Sequence, residues 1–131
     1  AALQAYQFSI DAPAGPEATY NADKAAQGKI LFNNKAQCAT CHSGPRFTDV
    51  TEGGFLHPQS ASVAVDKDYV NRSATKKWRV SPLKGIWFHP PYFHDGSAAT
   101  LSDVVERYNS QLNLGLTADE KANLTEYLKS L

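Results

Sequence analysis

The chain has 131 residues and a mass of 14.3 kDa, the size of one ordinary domain. Thirteen Lys and Arg residues balance thirteen Asp and Glu residues, so no strong overall field is available to recruit nucleic acid or an anionic membrane. A hydrophobic share of 42% excludes a disordered chain, and no apolar run approaches the roughly 18 residues of a membrane span. The two cysteines exclude a disulfide-rich scaffold, and the absence of methionine removes one common metal ligand.

Residues 1–20 contain Pro13, Gly15 and Pro16 and follow no clear period, so the sequence predicts an extended N-terminal arm or linker. They lack the basic start and the continuous apolar stretch of a signal peptide. Residues 21–131 are predicted to form the folded domain. Because the chain contains no methionine, not even an initiator, we expect a processed mature chain or an excised piece.

The first strong helix signal follows the arm. Asn21 is a suitable N-cap and Asp23 lies favourably in the first turn, so a helix is predicted over residues 22–33. Gly28 lies inside this helix, where a glycine costs about 1 kcal/mol relative to alanine. A glycine at such a position indicates that another element packs close to the backbone.

Residues 35–99 are predicted to be mostly loop, since turn-forming Gly and Pro residues interrupt them repeatedly. A structureless segment of this length is unusual in a compact domain. It needs another body to pack around, which indicates a buried cofactor.

Two more helices are predicted in the last third of the chain. Thr100 caps the first, and Thr117 and Glu120 form a capping box for the second. The apolar stripes consist of Leu101, Val104, Val105 and Tyr108 in the first helix and of Leu124, Tyr127, Leu128 and Leu131 in the second. Since no strand pattern is convincing, the sequence predicts an all-α fold of three to four helices with long loops.

Residues 38–42 read Cys-Ala-Thr-Cys-His, the C-x-x-C-H attachment signature of haem c. In this interpretation Cys38 and Cys41 form thioether bonds to the haem vinyl groups, and His42 lies beneath the iron as the proximal ligand. Two other chemistries use such a cysteine pair. A thioredoxin-like disulfide needs a βαβ context, whereas helix and loop flank this motif. Structural zinc needs a fourth ligand and usually a second cysteine pair, so one covalent haem is the predicted cofactor.

Three segments resemble class I cytochrome c. They are residues 28–32 (Gly-Lys-Ile-Leu-Phe), residues 38–42, and residues 116–129 of the last helix. In that family the first and last helices cross at a glycine and pack against an aromatic residue, a pattern that Gly28, Phe32 and Tyr127 match. The resemblance implies the cytochrome c fold, wrapped around one haem.

The middle of the chain resembles a haem domain of the bacterial dihaem cytochrome c peroxidases and their methylamine-utilisation (MauG-like) relatives. Two segments show this, Cys-His-Ser-Gly-Pro-Arg-Phe-Thr-Asp at 41–49 and Pro-Tyr-Phe-His-Asp-Gly-Ser-Ala-Ala-Thr-Leu-Ser-Asp-Val-Val at 91–105. The chain departs from the dihaem enzymes because it has a single C-x-x-C-H motif. A two-haem peroxidase therefore cannot be built from this chain alone.

The residue opposite His42 has several candidates in the sequence. Most electron-transfer cytochromes c place a methionine there, and this chain has none. The family's Pro-Tyr-Met-His pattern appears here as Pro-Tyr-Phe-His over residues 91–94, and Phe93 cannot ligate iron. The remaining candidates are His57, His89, His94 and Tyr92, and an open distal position is a further alternative.

His94 is the favoured distal ligand, because it lies one residue beyond the missing methionine in the loop that the family uses to cover the distal face. The turn at Asp95 and Gly96 can aim the side chain sharply. Ligation by His42 and His94 predicts a low-spin haem whose potential is lower than in His/Met cytochromes.

Other residues are predicted to contact the haem or its ligands. The resemblance implies that the Pro45 carbonyl accepts the N–H of His42, which fixes the imidazole ring. Arg79 is the candidate donor to a haem propionate, because its guanidinium offers a bidentate fork, and the indole N–H of Trp78 or Trp87 is a similar donor. The predicted apolar wall consists of Phe32, Leu83, Ile86, Trp87, Phe93, Val104 and Tyr108.

These features predict an electron carrier rather than an enzyme. No nucleophile–base pair or acid–base dyad stands out, so no catalytic residue is assigned. The alternatives are a peroxidase-like enzyme or sensor with an open distal site, and an electron-transfer module of a larger redox enzyme. The expected partner is a redox protein, with neither nucleic acid nor a membrane span. Because haem c is attached outside the bacterial cytoplasm, the family implies a periplasmic or secreted location.

Overall fold

The computed structural model describes residues 1–50, 55–58, 61–66 and 68–131. Over these ranges the α-helices are α1 (Ala2–Ser9), α2 (Ala22–Asn33), α3 (Leu101–Gln111) and α4 (Ala118–Ser130). Short 3-10 helices are formed by Glu17–Thr19, Cys38–Thr40, Asp68–Arg72 and Ile86–Phe88. Extended pairing in the same ranges is limited to isolated bridges between His57 and Trp78 and between Tyr92 and Ala98. The predicted all-α fold with long loops is confirmed.

Local sequence signals set the helix boundaries. The Asn21 side chain accepts a hydrogen bond from the backbone N–H of Lys24 at 2.9 Å, so α2 begins where its cap predicts. Capping boxes start the last two helices, between Thr100 and Asp103 in α3 and between Thr117 and Glu120 in α4. The Asp103 side chain, an acceptor in the first of these boxes, was not predicted from the sequence.

Helices α2 and α4 cross at Gly28. A β-carbon on Gly28 would collide with the carbonyl oxygen of Asn123 and lie only 2.7 Å from the β-carbon of Tyr127. Above the crossing, Phe32 and Tyr127 meet edge to face with ring centroids 5.3 Å apart. The predicted close approach at this glycine is confirmed, and hydrogen as its side chain is what permits the crossing.

The apolar core lies between these helices and the central loops. It consists of Phe32, Ala36, Leu83, Tyr92, Ala98, Leu101, Val104, Val105, Leu116, Leu124, Tyr127 and Leu128, each with less than 9% of its surface exposed. Of the residues predicted to wall a haem, Ile86, Phe93 and Tyr108 pack against this core from partly buried positions. Trp87 lies outside it and belongs to a different contact, described below.

The N-terminal segment differs from its prediction. Residues Ala2–Ser9 are helical rather than extended, since this stretch is rich in Ala, Leu and Gln, which favour helix. Farther along, Gly15 donates its backbone N–H to the Ser130 carbonyl at 3.4 Å, and a β-carbon there would collide with the Lys129 carbonyl. The segment is therefore packed on the end of α4. None of the helices in the described ranges combines the length and apolar character needed to cross a membrane.

Candidate functional site

The Cys-x-x-Cys-His motif forms one compact turn at the end of the loop after α2. Gln37 takes a left-handed conformation, with φ of 54°, and opens the 3-10 turn Cys38–Thr40. The backbone N–H of His42 then donates to the Cys38 carbonyl at 2.9 Å. Both cysteines are free thiols. The turn thus presents two thiols and one imidazole from five consecutive residues.

The imidazole of His42 is held by a backbone carbonyl, although not by the expected one. Its Nδ1 lies 3.0 Å from the carbonyl oxygen of Phe47, two residues beyond Pro45. Left-handed conformations at Gly44 and Phe47, with φ of 67° and 56°, turn that carbonyl back toward the ring. The prediction for Pro45 is corrected in this respect, because a proline carbonyl does not occupy that position in this structure.

The protonation states at the motif suit iron ligation by histidine. Burial lowers the pKa of His42, an effect that backbone hydrogen bonds with Phe47 and Ser81 partly oppose, so the ring is neutral near pH 7. A proton on Nδ1, which the Phe47 carbonyl accepts, leaves Nε2 unprotonated, and this is the form that binds a metal. Burial also raises the pKa of Cys38 to about 11 and raises the pKa of Cys41. Both groups are therefore protonated thiols at neutral pH when no metal is bound.

Asp49 and His57 form a close pair beside the motif. His57 Nε2 lies 2.6 Å from Asp49 Oδ2, and the backbone N–H of Asp49 donates to the Cys41 carbonyl at 3.0 Å. Potential ligand atoms of Cys41, Asp49 and His57 all lie within 4.8 Å of one another. This set shares a thiol with the haem motif, so the two sites exclude each other. In this structure the His57 side chain pairs with the Asp49 carboxylate.

His94 lies in an aromatic cluster with an acidic edge. Its ring centroid is 4.6 Å from that of Trp78 and 4.7 Å from that of Tyr69, and its side chain is 19% exposed. Its Nε2 lies 3.8 Å from Asp66 Oδ2, so a carboxylate competes with any metal for that nitrogen. Distal ligation by His94 stays a prediction on this geometry.

The loop that carries His94 is a tight hairpin. Tyr92 donates its backbone N–H to the Ala98 carbonyl at 2.7 Å and receives the return bond at 3.4 Å. Inside it, Phe93 has φ of 64°, an unusual conformation for an aromatic residue. Its ring packs 6.1 Å from that of Tyr108. Phe93 therefore packs against the core.

Tyr92 is a buried phenol, and Tyr108 is a partly buried one. Tyr92 is 8% exposed within the apolar core, and burial raises its pKa, which disfavours the phenolate needed for iron ligation. Burial raises the pKa of Tyr108 to about 12, and its electrostatic interaction with Cys38 and Cys41 shows that it lies near both thiols. His89 is exposed and packs edge-on against Phe88.

The structure places the three predicted propionate donors in different surroundings. Trp87 donates its indole N–H to the Pro13 carbonyl at 3.2 Å, so that N–H is engaged at the N-terminal segment rather than offered to a propionate, and contact of the ring with the haem stays a prediction. Arg79 is exposed at the surface. The indole nitrogen of Trp78 is buried, and it has no hydrogen-bond partner in the part of the chain that the structure describes. An orphaned buried donor is what a haem propionate would satisfy, so the residues present fit that group.

Three residues of this region were not singled out from the sequence. They are Asp49, Asp66 and Tyr69. Their partners are 8, 28 and 25 residues away along the chain, beyond any local pattern. Only Asp49 carried a signal, because it ends the Phe-Thr-Asp run of the second resemblance.

Comparison with known proteins gives the family. A family model described as RoxA-like, cytochrome c-like matches residues 78–111. The chain is 32% identical over 111 residues to the cytochrome c551 peroxidase of Nitrosomonas europaea, covering 80% of this chain and 33% of the relative. It is 30% identical over 96 residues to the methylamine utilization protein MauG of Methylophilus methylotrophus, covering 68% and 28% respectively. The chain thus spans about a third of the length of these relatives.

A solved structure agrees at the level of the fold. The hydrazine synthase of Kuenenia stuttgartiensis superposes with a TM-score of 0.66 at 21% identity, covering 99% of this chain and 54% of that one. At this identity the likeness shows the fold alone. The turn at 38–42 and the helix crossing at Gly28 agree with these matches. The chain contains a segment that matches the cytochrome c-like family model and is related to the bacterial cytochrome c peroxidases and MauG.

Proposed function

We propose that the chain binds one haem c through thioether bonds from Cys38 and Cys41, with His42 as the proximal ligand, and passes single electrons to or from a redox partner. One observation carries the proposal. A single turn presents two free thiols and a neutral imidazole whose Nδ1 is tied to the Phe47 carbonyl at 3.0 Å. This tie fixes the ring and makes Nε2 more basic.

The surroundings of the motif support the same role. A bound haem supplies an iron that changes between the ferrous and ferric states. Phe32 and Tyr108 offer apolar surface near the motif, which excludes water and limits reorganisation around the metal. The buried indole N–H of Trp78 offers a hydrogen bond to a propionate, and Arg79 stays our candidate for a second donor from the surface. No acid–base pair is needed for this function.

His94 is our proposed distal ligand. It belongs to a hairpin closed by the backbone bonds between Tyr92 and Ala98, which fixes the position of the loop. Bis-histidine ligation would give a low-spin iron of lower potential than a His/Met pair. Asp66, at 3.8 Å from Nε2, opposes this ligation by holding the same nitrogen.

A second candidate is an open-site haem protein of the peroxidase or sensor type. The observation that favours it is the position of Phe93, which packs against Tyr108, itself close to the two cysteines, and cannot ligate. A distal face covered by phenylalanine would leave the iron open to small ligands. The similarity to a relative named as a peroxidase also supports this alternative.

The experiment is expression in a bacterial host with a cytochrome c maturation system. We expect haem that stays with the polypeptide in denaturing gels, and loss of that haem in Cys38→Ser and Cys41→Ser, with Ser43→Ala as the matched control. Carbon monoxide added to the reduced protein then separates the two candidates. Slow or absent uptake in the parent, with rapid uptake in His94→Ala but not in His89→Ala, supports bis-histidine ligation. Rapid stoichiometric uptake by the parent supports the open site.

Attachment of haem c takes place outside the bacterial cytoplasm, and we propose a periplasmic or secreted location on that ground. Because the chain spans only about a third of its relatives, we also propose that it serves as one electron-transfer module among others. Detection of the haem-stained protein in the periplasmic fraction checks the location.

A further inference from the structure

A stack of three rings connects His94 to the protein surface. The Tyr69 and Trp78 rings lie nearly parallel, at 23°, with centroids 5.6 Å apart, and each ring also contacts His94 at less than 5 Å. Tyr69 is 46% exposed. The three rings therefore form one mutually contacting group, in which the proposed distal ligand touches a ring that meets solvent.

One basic side chain contacts the exposed ring of Tyr69, and three more follow closely in sequence. The guanidinium of Arg72 lies 5.1 Å above the Tyr69 ring and stays 70% exposed while it pairs with Asp66 at 3.2 Å. Lys76, Lys77 and Arg79 are exposed on the same short stretch of chain. We call the set Tyr69, Arg72, Lys76, Lys77 and Arg79 the basic aromatic face.

The charge of this stretch stands out within a neutral chain. Residues 66–79 contain five of the thirteen basic residues and two of the thirteen acidic ones, a net charge of +3. Because the whole chain has zero net charge, the rest of it carries the opposite sign. Positive charge is therefore concentrated in the segment that carries the exposed ring of Tyr69.

We propose that the basic aromatic face is the docking surface for a redox protein whose contacting surface is acidic, and that the stack lies between that partner and the haem. The inference rests on the proposed function and names its partner class. Opposite charge steers encounter and raises association rates at low salt. Exposed Tyr and Arg are the residue types that anchor protein interfaces, and electron-transfer encounters need only a small area.

The ring contacts favour a redox protein over other acidic partners. A nucleic acid or an anionic membrane would use the basic side chains but would gain nothing from rings stacked on His94. Asp66 and Asp68 lie next to the basic aromatic face in sequence, and their negative charges repel a polyanion more than a protein whose surface carries both signs of charge. A partner that contacts Tyr69 would be separated from His94 by the Tyr69 ring alone.

The first test maps the face without any electron transfer. Hexacyanochromate(III), a redox-inert paramagnetic anion, is titrated into the isotope-labelled holoprotein, and the broadening of amide signals is followed by NMR. We expect broadening centred on residues 69–79, its loss in Lys77→Glu, and its retention in Lys29→Glu. Lys29 is a matched control because it is an exposed lysine on α2. Broadening spread evenly over the surface would overturn the proposal.

The second test measures the rate of electron transfer. Hexacyanoferrate(III) takes one electron from the ferrous holoprotein, which leaves ferric protein and hexacyanoferrate(II) and moves no proton. At low salt we expect Lys77→Glu to slow this reaction by about threefold or more and to speed oxidation by the cationic tris(phenanthroline)cobalt(III). Lys29→Glu should change neither rate appreciably, and 0.5 M salt should remove the difference.

The outcomes separate the docking surface from the proposed function. A normal haem spectrum with equal rates in both variants overturns the docking surface and leaves the haem assignment standing. An absent haem spectrum overturns the proposed function, and the docking proposal falls with it. Binding of the holoprotein to phosphatidylglycerol vesicles that Lys77→Glu abolishes, with no change in either rate, assigns the face to a membrane and overturns the redox partner.

Discussion

His57 and Trp78 exchange two backbone hydrogen bonds, one at 2.8 Å and one at 2.7 Å. Although 21 residues apart in sequence, they join the two halves of the candidate site. The side chain of His57 binds Asp49, whose N–H reaches the Cys41 carbonyl, and the ring of Trp78 stacks on His94. The position of the distal candidate is therefore coupled to the haem-binding turn through one backbone bridge.

Replacing Gly28 by alanine is expected to destabilise the holoprotein by about 1–3 kcal/mol. The new β-carbon would collide with the Asn123 carbonyl, and neither that backbone nor Tyr127 can move without opening the α2–α4 crossing. On an exposed helix the same change would stabilise by up to about 1 kcal/mol, so the sign itself is diagnostic. Denaturant unfolding measures it, with Gln27→Ala at an exposed neighbour as the control. A more stable Gly28→Ala would contradict the crossing.

Replacing Phe93 by methionine is expected to raise the reduction potential of the haem by on the order of 0.1 V, a fraction of the ~0.8 V range that axial ligands span. Phe93 points toward Tyr108, which lies near both cysteines, so a thioether there comes close to a haem held by them. Spectroelectrochemical titration gives the potential, and a sulfur-to-iron charge-transfer band identifies the ligand. Phe88→Met, at a position 67% exposed, should leave both unchanged. An unaltered potential in Phe93→Met would place Phe93 away from the iron.

Replacing Asp66 by asparagine is expected to strengthen ligation by His94. The amide keeps an acceptor for the backbone N–H groups of Asp68 and Tyr69 but loses the charge 3.8 Å from His94 Nε2. Absorption and EPR spectra should show a larger low-spin fraction, and carbon monoxide should bind more slowly. Asp68→Asn, at the first residue of the 3-10 helix that follows, is the control. Identical spectra for Asp66→Asn and the parent would mean that the carboxylate does not compete.

The features predicted correctly from the sequence depend on neighbouring residues. The bounds of α2 follow from the Asn21 cap and from periodicity, both of which act within a few residues. The crossing at Gly28 could be anticipated because a glycine that weakens a helix needs a packing reason. The compact turn of the haem motif is likewise contained in five consecutive residues.

The features that were missed depend on contacts across the loops. The carbonyl that holds His42 belongs to Phe47 because two left-handed residues reverse the chain, which no periodicity indicates. The stack at His94 joins residues from three separate loop segments. Trp87 was assigned to the haem because tryptophan suits such a pocket, whereas its actual partner is Pro13, 74 residues earlier.

Replacing Asp95 by asparagine is expected to lower stability near neutral pH but not in acid. Although partial desolvation acts to raise the pKa of Asp95, hydrogen bonds from the backbone N–H groups of Asp66 and Ser97 hold it well below its ordinary value. A lowered folded-state pKa contributes stability above the unfolded value of about 3.9, and that contribution is lost as the pH falls below it. Thermal unfolding from pH 7 to pH 3 measures the effect. The gap between parent and variant should narrow below about pH 4, whereas the exposed Asp11→Asn control should show no such trend. A gap independent of pH would contradict the role of the carboxylate charge.

Replacing Trp87 by phenylalanine is expected to loosen the N-terminal segment and leave the haem unchanged. The variant removes the indole N–H that the Pro13 carbonyl accepts at 3.2 Å, a bond worth about 1 kcal/mol. Local opening of the segment should then be about fivefold more frequent, which hydrogen exchange at the Gly15 amide reports through its bond to the Ser130 carbonyl. The absorption spectrum and reduction potential should stay at their parent values, because the ring faces the segment rather than the haem-binding turn. A shifted potential with unchanged exchange at Gly15 would restore Trp87 to the haem pocket, since a lost propionate bond acts on the iron and not on the segment.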